Sequence, residues 1–218
     1  MPARRTLRVN GLPDAGALRD AAACVAGGGI LIFPTDTVYG IGCDPDDFQA
    51  VAAIFSAKRR AAHKPLAVHV AEPDEARLFA RVLTVAAERL MHTLWPGPLA
   101  IVVERAPGRA AAAACDGATL SLRCPDDAAC ASILRATGPL AATSANFSGK
   151  AAFTGKSEDE SMLPDADLAI ITGPTRGGRE STVLDCTSNA VRVLRHGALE
   201  EAQISRALAG CEGVSLVT

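Results

Sequence analysis

Residues 30–42 read ILIFPTDTVYGIG, an apolar run followed by a proline and a polar loop. The run at 30–33 has the length and the β-branched content of a strand buried inside a sheet. Pro34 cannot donate to a strand ladder and ends the run. Residues 35–39 then gather three hydroxyls and a carboxylate at the strand's end, where α/β folds commonly carry their binding sites. The alternative is a tight turn whose Asp and Thr side chains bond their own backbone.

Helical and strand patterns alternate on both sides of this run. Apolar spacing predicts helices at 14–26, 46–58, 74–79, 84–94, 126–136 and 199–208. Short apolar runs predict further strands at 66–70, 99–104, 119–123, 140–143, 168–172, 182–186 and 191–195. The turn at 187–189 makes the last two strands a hairpin. We therefore predict an α/β fold with a mixed sheet covered by helices on both faces.

Composition favours one packed domain over residues 1–218, because 49% of the residues are hydrophobic and 21% are charged. A net charge of −2 argues against a broad basic surface for nucleic acid, although a local basic cleft is compatible with it. The seven cysteines include no Cys-x-x-Cys pair and the four histidines form no metal motif. We expect reduced thiols, no metal bound by the protein alone, no membrane span and a cytoplasmic location.

Residues 57–66 (AKRRAAHKPL) bring four cations and His63 between a helix end and a strand. Such a segment is commonly a solvated helix end whose cations interact favourably with the helix dipole. This one leads directly into the strand at 66–70, so its cations could instead line a cleft. His69 within that strand has two interpretations, a satisfied core residue or a ligand-binding side chain.

Arginine and small polar residues follow other strands. Arg123 ends the strand at 119–123, and its planar fork suits a ligand carboxylate, a phosphate or an internal aspartate equally well. The loop at 143–149 (TSANFSG) is of a kind that approaches phosphates through hydroxyls and backbone N–H groups. The segment at 177–183 and Arg195 are also explained by ordinary surface turns.

Together these segments resemble the YrdC-like family of L-threonylcarbamoyladenylate synthases. Seven family motifs occur here in family order within residues 20–200. They are residues 34–42 (PTDTVYGIG), Lys58-x-Arg60 with Lys64-Pro65-Leu66, Trp95-Pro96-Gly97-Pro98, Leu122-Arg123-x-Pro125, Ser144-Ala145-Asn146-x-Ser148-Gly149, Ser181-Thr182-Val183 and Leu194-Arg195-x-Gly197.

The resemblance implies a YrdC-like twisted mixed sheet, flanked by helices, with a concave and positively lined cleft. It implies L-threonine binding by Thr37, His69, Arg123 and Ser181. It implies ATP binding by Lys58, Arg60, Lys64, Thr119, Ser144, Asn146 and Arg195. Lys58 and Arg60 are the implied catalytic residues, and Mg²⁺ is expected to arrive with ATP.

The implied activity is that of a nucleotidyltransferase. L-Threonine, bicarbonate or CO2, and ATP give threonylcarbamoyl-AMP and pyrophosphate, for the threonylcarbamoyladenosine modification of tRNA. The implied partners are downstream threonylcarbamoyl-transferase proteins and tRNA. Two alternatives remain: an RNA-binding module without catalysis, and a carbamoyl-adenylate enzyme that uses another acceptor.

The chain departs from the family's usual pattern at three places. Ala100 stands where the family usually has Thr, Lys64 where it commonly has Asn, and Asp126-Asp127 near its usual His-Pro. These departures affect the expected geometry at the edges of the site rather than the reaction class. Longer members of the family carry an additional C-terminal domain, which we expect this chain to lack.

Overall fold

The structure, a computed structural model, describes residues 4–61, 64–156 and 160–217. Within these ranges lie two 3₁₀ helices, Pro73–Leu78 and Glu160–Met162, and five α-helices. The α-helices are α1 (Ala15–Ala26), α2 (Phe48–Lys58), α3 (Val85–Leu94), α4 (Ala128–Thr137) and α5 (Glu201–Leu208). An Asp or Thr side chain caps the first four at Asp14, Asp47, Thr84 and Asp127, as expected for helix starts.

Twelve strands of the described residues form one mixed sheet. They are β1 (Arg5–Arg8), β2 (Leu31–Phe33), β3 (Gly40–Cys43), β4 (Ala67–His69), β5 (Ala80–Val82), β6 (Leu99–Arg105), β7 (Thr119–Arg123), β8 (Leu140–Ser144), β9 (Leu168–Ile171), β10 (Thr182–Asp185), β11 (Ala190–Arg195) and β12 (Ser215–Val217). Their order is β1-β9-β2-β3-β8-β4-β7-β6-β10-β11-β12, with β5 paired to β6. The sheet contains both parallel pairs, such as β4 with β7, and antiparallel pairs, such as β3 with β8.

Side-chain alternation along the strands separates two layers. In β2, Ile32 joins the larger core with α2, α3 and α5, whereas Leu31 and Phe33 join a smaller core with α1 and α4. In β7, Leu120 and Leu122 belong to the larger core. The intervening side chains of β7 face the opposite side of the sheet, because successive strand residues point to opposite faces. There, over β4, β7, β6 and β10, the sheet forms the wall of a cleft.

The predicted mixed α/β sheet with helices around it is confirmed, and so is the hairpin of β10 and β11. The strands β1, β3, β5 and β12 were not predicted, because each has only three or four residues and no sustained apolar run. Residues 74–79, predicted as a helix, lie largely in a 3₁₀ helix. Within the described residues, none of the helices is both long and apolar enough to cross a membrane.

Candidate active site

The cleft is a cavity of about 1050 Å³ bordered by the β2–β3 loop, the end of α2 and the strands β4, β6, β7, β8, β10 and β11. Its wall combines cations and hydroxyls with an apolar part. The cationic side chains on the wall are Lys58, Arg60, Arg123, Lys150 and Arg195. Among the apolar residues of the lining, Ala100, Val102, Val183 and Leu194 form what we call the apolar wall. A volume of this size is at the upper end of the range of small-molecule and cofactor sites.

Arg123 lies at the carboxyl end of β7 and is paired with Asp36 inside the protein. Its Nη2 is 2.6 Å from Asp36 Oδ1, and the two side chains are 6% and 7% exposed. Its Nε donates to the carbonyl oxygen of Gly97 at 3.3 Å. Burial lowers the pKa of Arg123 and raises the pKa of Asp36, a shift that the charge of Arg123 opposes. The internal aspartate that the sequence left open is therefore present, while Arg123 still lines the cavity.

The loop after β2 combines both interpretations that its sequence allowed. Thr35 Oγ1 donates to the carbonyl oxygen of Val38 at 2.6 Å and lies 3.0 Å from Thr37 Oγ1. The backbone N–H of Thr37 donates to Thr35 Oγ1 at 3.2 Å. These are the bonds of a tight turn. Thr35 and Thr37 also line the cavity, so the turn presents its hydroxyls to a ligand.

His69 lies on the cavity side of β4 and packs edge-on against Phe33, with 6.1 Å between ring centroids. Its Nδ1 is 3.4 Å from the carbonyl oxygen of Ala67. Burial, and secondarily the charge of Arg123, lower the pKa of His69 to about 3. The imidazole is therefore neutral at physiological pH and can exchange hydrogen bonds with a polar ligand.

Lys58, the last residue of α2, is only 2% exposed. Its Nζ donates to the carbonyl oxygens of Ser144 and Asn146, the latter at 2.6 Å, and lies 3.4 Å from Asn146 Oδ1. Burial, with the charge of Arg60, lowers the pKa of Lys58 to about 8. The ammonium group thus ties the end of α2 to the loop after β8. The helix ends directly after Lys58, because Arg59 adopts the left-handed conformation.

The basic segment divides between the cavity and the surface. Arg60 lines the cavity and donates from Nη2 to the carbonyl oxygen of Pro65 at 3.3 Å. Lys64 is exposed and does not line the cavity, so its predicted contact with ATP stays a prediction. Ala62 and His63 lie outside the described residues.

The predicted ATP-side residues Thr119, Ser144 and Asn146 all line the cavity. Thr119 is at the exposed start of β7, whereas Asn146 is 8% exposed. Asn146 Nδ2 donates to the carbonyl oxygen of Lys150 at 2.6 Å. Together with Lys58 this bond shapes the loop after β8 around the cavity.

Ser181 and Arg195 meet at the opposite wall, where β10 and β11 pair. Arg195 donates from Nε to the carbonyl oxygen of Ser181 at 3.1 Å and from Nη2 to Ser181 Oγ at 3.0 Å. Gly197 packs so closely that a Cβ there would lie 2.2 Å from the Ser181 carbonyl carbon. The Ser-Thr-Val and Leu-Arg-x-Gly motifs are therefore one structural unit.

Several residues that line the cavity were not predicted as site residues. Glu180 and Lys150 lie in loops outside the family motifs. Some residues of the apolar wall, such as Val183, stand inside family motifs, but their apolar side chains gave no sign of a ligand contact. Ser121 was detectable, because Thr119, Ser121 and Arg123 alternate with leucines along one strand. The structure also shows where two of the departures from the family pattern lie.

Ala100 lies on the apolar wall of the cavity, beside Val183 in the adjacent strand. Asp127 lies outside the cavity lining and caps α4 by accepting from the backbone N–H of Cys130 at 2.8 Å. Asp126, the first residue of the helix predicted at 126–136, lies before the cap and pairs with Arg176 at 3.0 Å on the surface. The cap rather than the preceding residue therefore defines the helix start.

The sheet order and the helices define an α/β protein whose sheet carries a polar cleft lined by several cations. The chain belongs to the Sua5/YciO/YrdC family, whose profile, described as "Telomere recombination", matches residues 23–197. It is 35% identical over 191 residues to the threonylcarbamoyl-AMP synthase of Bacillus subtilis, covering 86% of this chain and 55% of that protein. A Mycobacterium tuberculosis relative is 34% identical, with 90% of each protein covered.

Among solved structures, Pyrococcus abyssi Sua5 in complex with L-threonine superposes with a TM-score of 0.88 at 32% identity. That match covers 94% of this chain and 61% of the Sua5 chain. The chain thus spans little more than half the length of the Bacillus and Pyrococcus proteins and most of the Mycobacterium one.

Proposed function

We propose that the protein is a threonylcarbamoyl-AMP synthase that joins L-threonine, bicarbonate and ATP and releases pyrophosphate. The observation that carries this proposal is that one cavity is lined both by a buried arginine, Arg123, and by a second set of cations. That set is Lys58, Arg60 and Arg195. Relatives that bear this enzyme name support it, as does the L-threonine complex of Pyrococcus abyssi Sua5.

The threonine end of the cavity is the part around Arg123. Its guanidinium would bind the amino-acid carboxylate in the two-pronged geometry that arginine favours. The neutral imidazole of His69 and the hydroxyls of Thr37 and Ser181 would accept from and donate to the amine and hydroxyl of threonine. A neutral His69 avoids repulsion of a positively charged amine.

The ATP end would use the remaining cations against the triphosphate. Lys58, Arg60 and Arg195 supply charge, and Ser144 and Asn146 supply polar contacts. Thr119 and the apolar wall suit the nucleoside, while Lys64 would act from the rim. Mg²⁺ bound to ATP would neutralise phosphate charge. Because the described cavity wall offers it hydroxyls and one carboxylate, ATP itself would provide most of its oxygen ligands.

The chemistry requires alignment and charge neutralisation more than a covalent nucleophile. Bicarbonate takes up a proton and gives CO2 and water. The threonine nitrogen adds to CO2 and loses a proton to give a carbamate. A carbamate oxygen then attacks the α-phosphorus of ATP, and the bond to the bridging oxygen of pyrophosphate breaks. The arginines and Lys58 would hold the carboxylate and the phosphates on either side of the reacting atoms.

The product is a mixed anhydride that a transferase must consume by acylating an amine. On the family resemblance that acceptor is an adenosine of tRNA, delivered by downstream threonylcarbamoyl-transferase proteins. A cytoplasmic location fits this use. Direct binding of RNA by this chain is not required for the reaction.

The test is an assay of purified protein with ATP, Mg²⁺, bicarbonate and one amino acid at a time. We expect pyrophosphate and an adenylate product with L-threonine, and little of either with other amino acids. Arg123→Ala should mainly impair threonine use, and Lys58→Ala should mainly impair ATP use. Turnover that does not depend on threonine would reject the proposal, and tight tRNA binding without turnover would favour an RNA-binding module.

A further inference from the structure

Glu180 is the single acidic residue among the described side chains that line the cavity. It precedes Ser181 and is half-exposed, and its backbone carbonyl accepts from the N–H of Ala198 at 2.9 Å. A carboxylate on the wall of a cleft proposed to bind a triphosphate needs a physical reason, because like charges repel.

The reason lies in the contacts of Arg195. Glu180 Oε2 accepts from Arg195 Nη1 at 2.9 Å, on the other side of the guanidinium from the bond to Ser181 Oγ. With the bond from Nε to the Ser181 carbonyl oxygen, three of the five guanidinium N–H groups have partners in the 180–181 segment. These contacts hold the planar guanidinium in one orientation, and its other two N–H groups, which have no partner among the described residues, are available to a ligand.

Glu180 also acts on the neighbouring cations. Its negative charge opposes the lowering of the pKa of Lys58 and of Arg60 that burial causes. Arg60 and Arg195 in turn repel each other. A single carboxylate therefore offsets the mutual repulsion of the three cations on the proposed ATP side while no ligand is bound.

We infer that Glu180 is a positioning residue that clamps Arg195 against Ser181, so that the guanidinium links the ATP half of the cleft to the threonine half. The assignment of the two halves rests on the proposed function, but the clamp itself does not. Arg195 is 45% exposed and Glu180 39%, so the pair adds little to stability. Its effect falls on ligand use, because an unclamped arginine has many solvent-facing rotamers.

Steady-state kinetics of Glu180→Ala and Glu180→Gln test the clamp. We expect Glu180→Ala to raise the KM for ATP about tenfold, the size of one charged hydrogen bond, with a smaller rise for threonine. Glu180→Gln keeps an acceptor oxygen and should fall between wild type and Glu180→Ala. The matched control is Glu72→Gln, which removes an exposed carboxylate 2.6 Å from Arg135 and outside the cavity lining. It should behave as wild type.

A double-mutant cycle shows whether Glu180 acts through Arg195. A lysine at 195 lacks the planar guanidinium that bonds to Glu180 and Ser181 together. In an Arg195→Lys background, Glu180→Ala should therefore raise the KM for ATP little further. If the effects of the two substitutions on the KM for ATP were additive, the inference would be overturned. Unchanged or tighter ATP binding in Glu180→Ala would overturn it as well. A higher Mg²⁺ requirement with an unchanged KM for MgATP would also overturn it, because it would make Glu180 a metal ligand.

A measurement without substrates separates this inference from the proposed function. The chain has four lysines, so ¹³Cε-lysine NMR gives few signals, and Lys58→Arg identifies the one from Lys58. We expect Lys58 to titrate near pH 8 in the wild type and at lower pH in Glu180→Gln, with Glu72→Gln unchanged. An unmoved midpoint in Glu180→Gln would overturn the placement of Glu180. Absence of wild-type turnover would instead reject only the enzyme assignment.

Discussion

Two buried side-chain charges in the cleft, those of Lys58 and Arg123, are satisfied in different ways. Arg123 has a carboxylate partner, Asp36, whereas Lys58 has carbonyl oxygens of the 144–146 segment. A buried ion must keep such partners, because an unpaired charge in the interior is costly. The partners, rather than the cations alone, therefore determine where the ligand-binding groups lie.

Asp36→Asn should reveal this dependence. The substitution keeps the size of the side chain but leaves the Arg123 charge uncompensated, which typically costs about 3 kcal/mol or more. We expect a lower free energy of unfolding by urea denaturation and a higher KM for threonine. Asp126→Asn removes the exposed partner of Arg176 and should cost less than about 1 kcal/mol. Equal losses in the two variants would contradict the role of the buried pair.

Gly197→Ala tests the contact between the two motifs at the cleft wall. A Cβ at 197 would lie 2.2 Å from one backbone atom and 2.3 Å from the next, so β10 and the turn must separate. We expect a loss of several kcal/mol in stability, or loss of soluble protein. Gly108→Ala is the control: its φ of +72° is strained, but no atom lies within 4 Å of the added carbon. It should cost only about 1–2 kcal/mol.

The neutral His69 predicts a pH dependence of stability. Its pKa is about 3 in the folded protein and about 6.5 in an unfolded chain, so unfolding takes up a proton between these values. Stability therefore falls as the pH falls below 6.5, by at most about 1.4 kcal/mol per pH unit from this group. Urea denaturation at pH 7.5 and 5.5 should show a smaller fall for His69→Asn than for wild type. The same fall in both proteins would refute this assignment.

At the scale of helices and strands, much of the architecture was predictable from local patterns. The long periodic segments that became α1, α2 and α3 have apolar faces, and capping residues mark their starts. The strands β1 and β3 lacked such signals. β1 forms only because β9, more than 150 residues away, pairs with it, and β3 contains two glycines. Pairing with other strands of the sheet overrides local preference in such short strands.

The start of α4 provides a prediction at this scale. Asp127 Oδ1 accepts from the backbone N–H of Cys130 at 2.8 Å, whereas the adjacent Asp126 lies one residue too early to cap. Asp127→Ala should cost about 1 kcal/mol in thermal or urea denaturation. Asp126→Ala should cost markedly less. A larger cost for Asp126→Ala than for Asp127→Ala would show that Asp126, and not Asp127, caps the helix.

For the molecule as a whole, the cleft joins residues between 35 and 195 in the chain. No local pattern could predict that Asp36 meets Arg123 or that Glu180 meets Arg195, because these contacts depend on the order of the strands. The resemblance to a family supplied in advance ten of the residues that line the cleft. It did not supply the partners that hold them, which became visible only with the fold.

Because every wall of the cleft belongs to a different part of the sheet, bound ligands should stabilise the entire domain. A ligand present at about 100 times its Kd adds about 2.7 kcal/mol to the free energy of unfolding. We expect a non-hydrolysable ATP analogue and L-threonine each to raise the melting temperature of the wild type. Arg123→Lys keeps a positive charge beside Asp36 but lacks the planar guanidinium. It should therefore lose mainly the rise in melting temperature that L-threonine causes. Arg60→Gln should lose mainly the ATP increment, and loss of both increments in each variant would contradict a cleft with two separate halves.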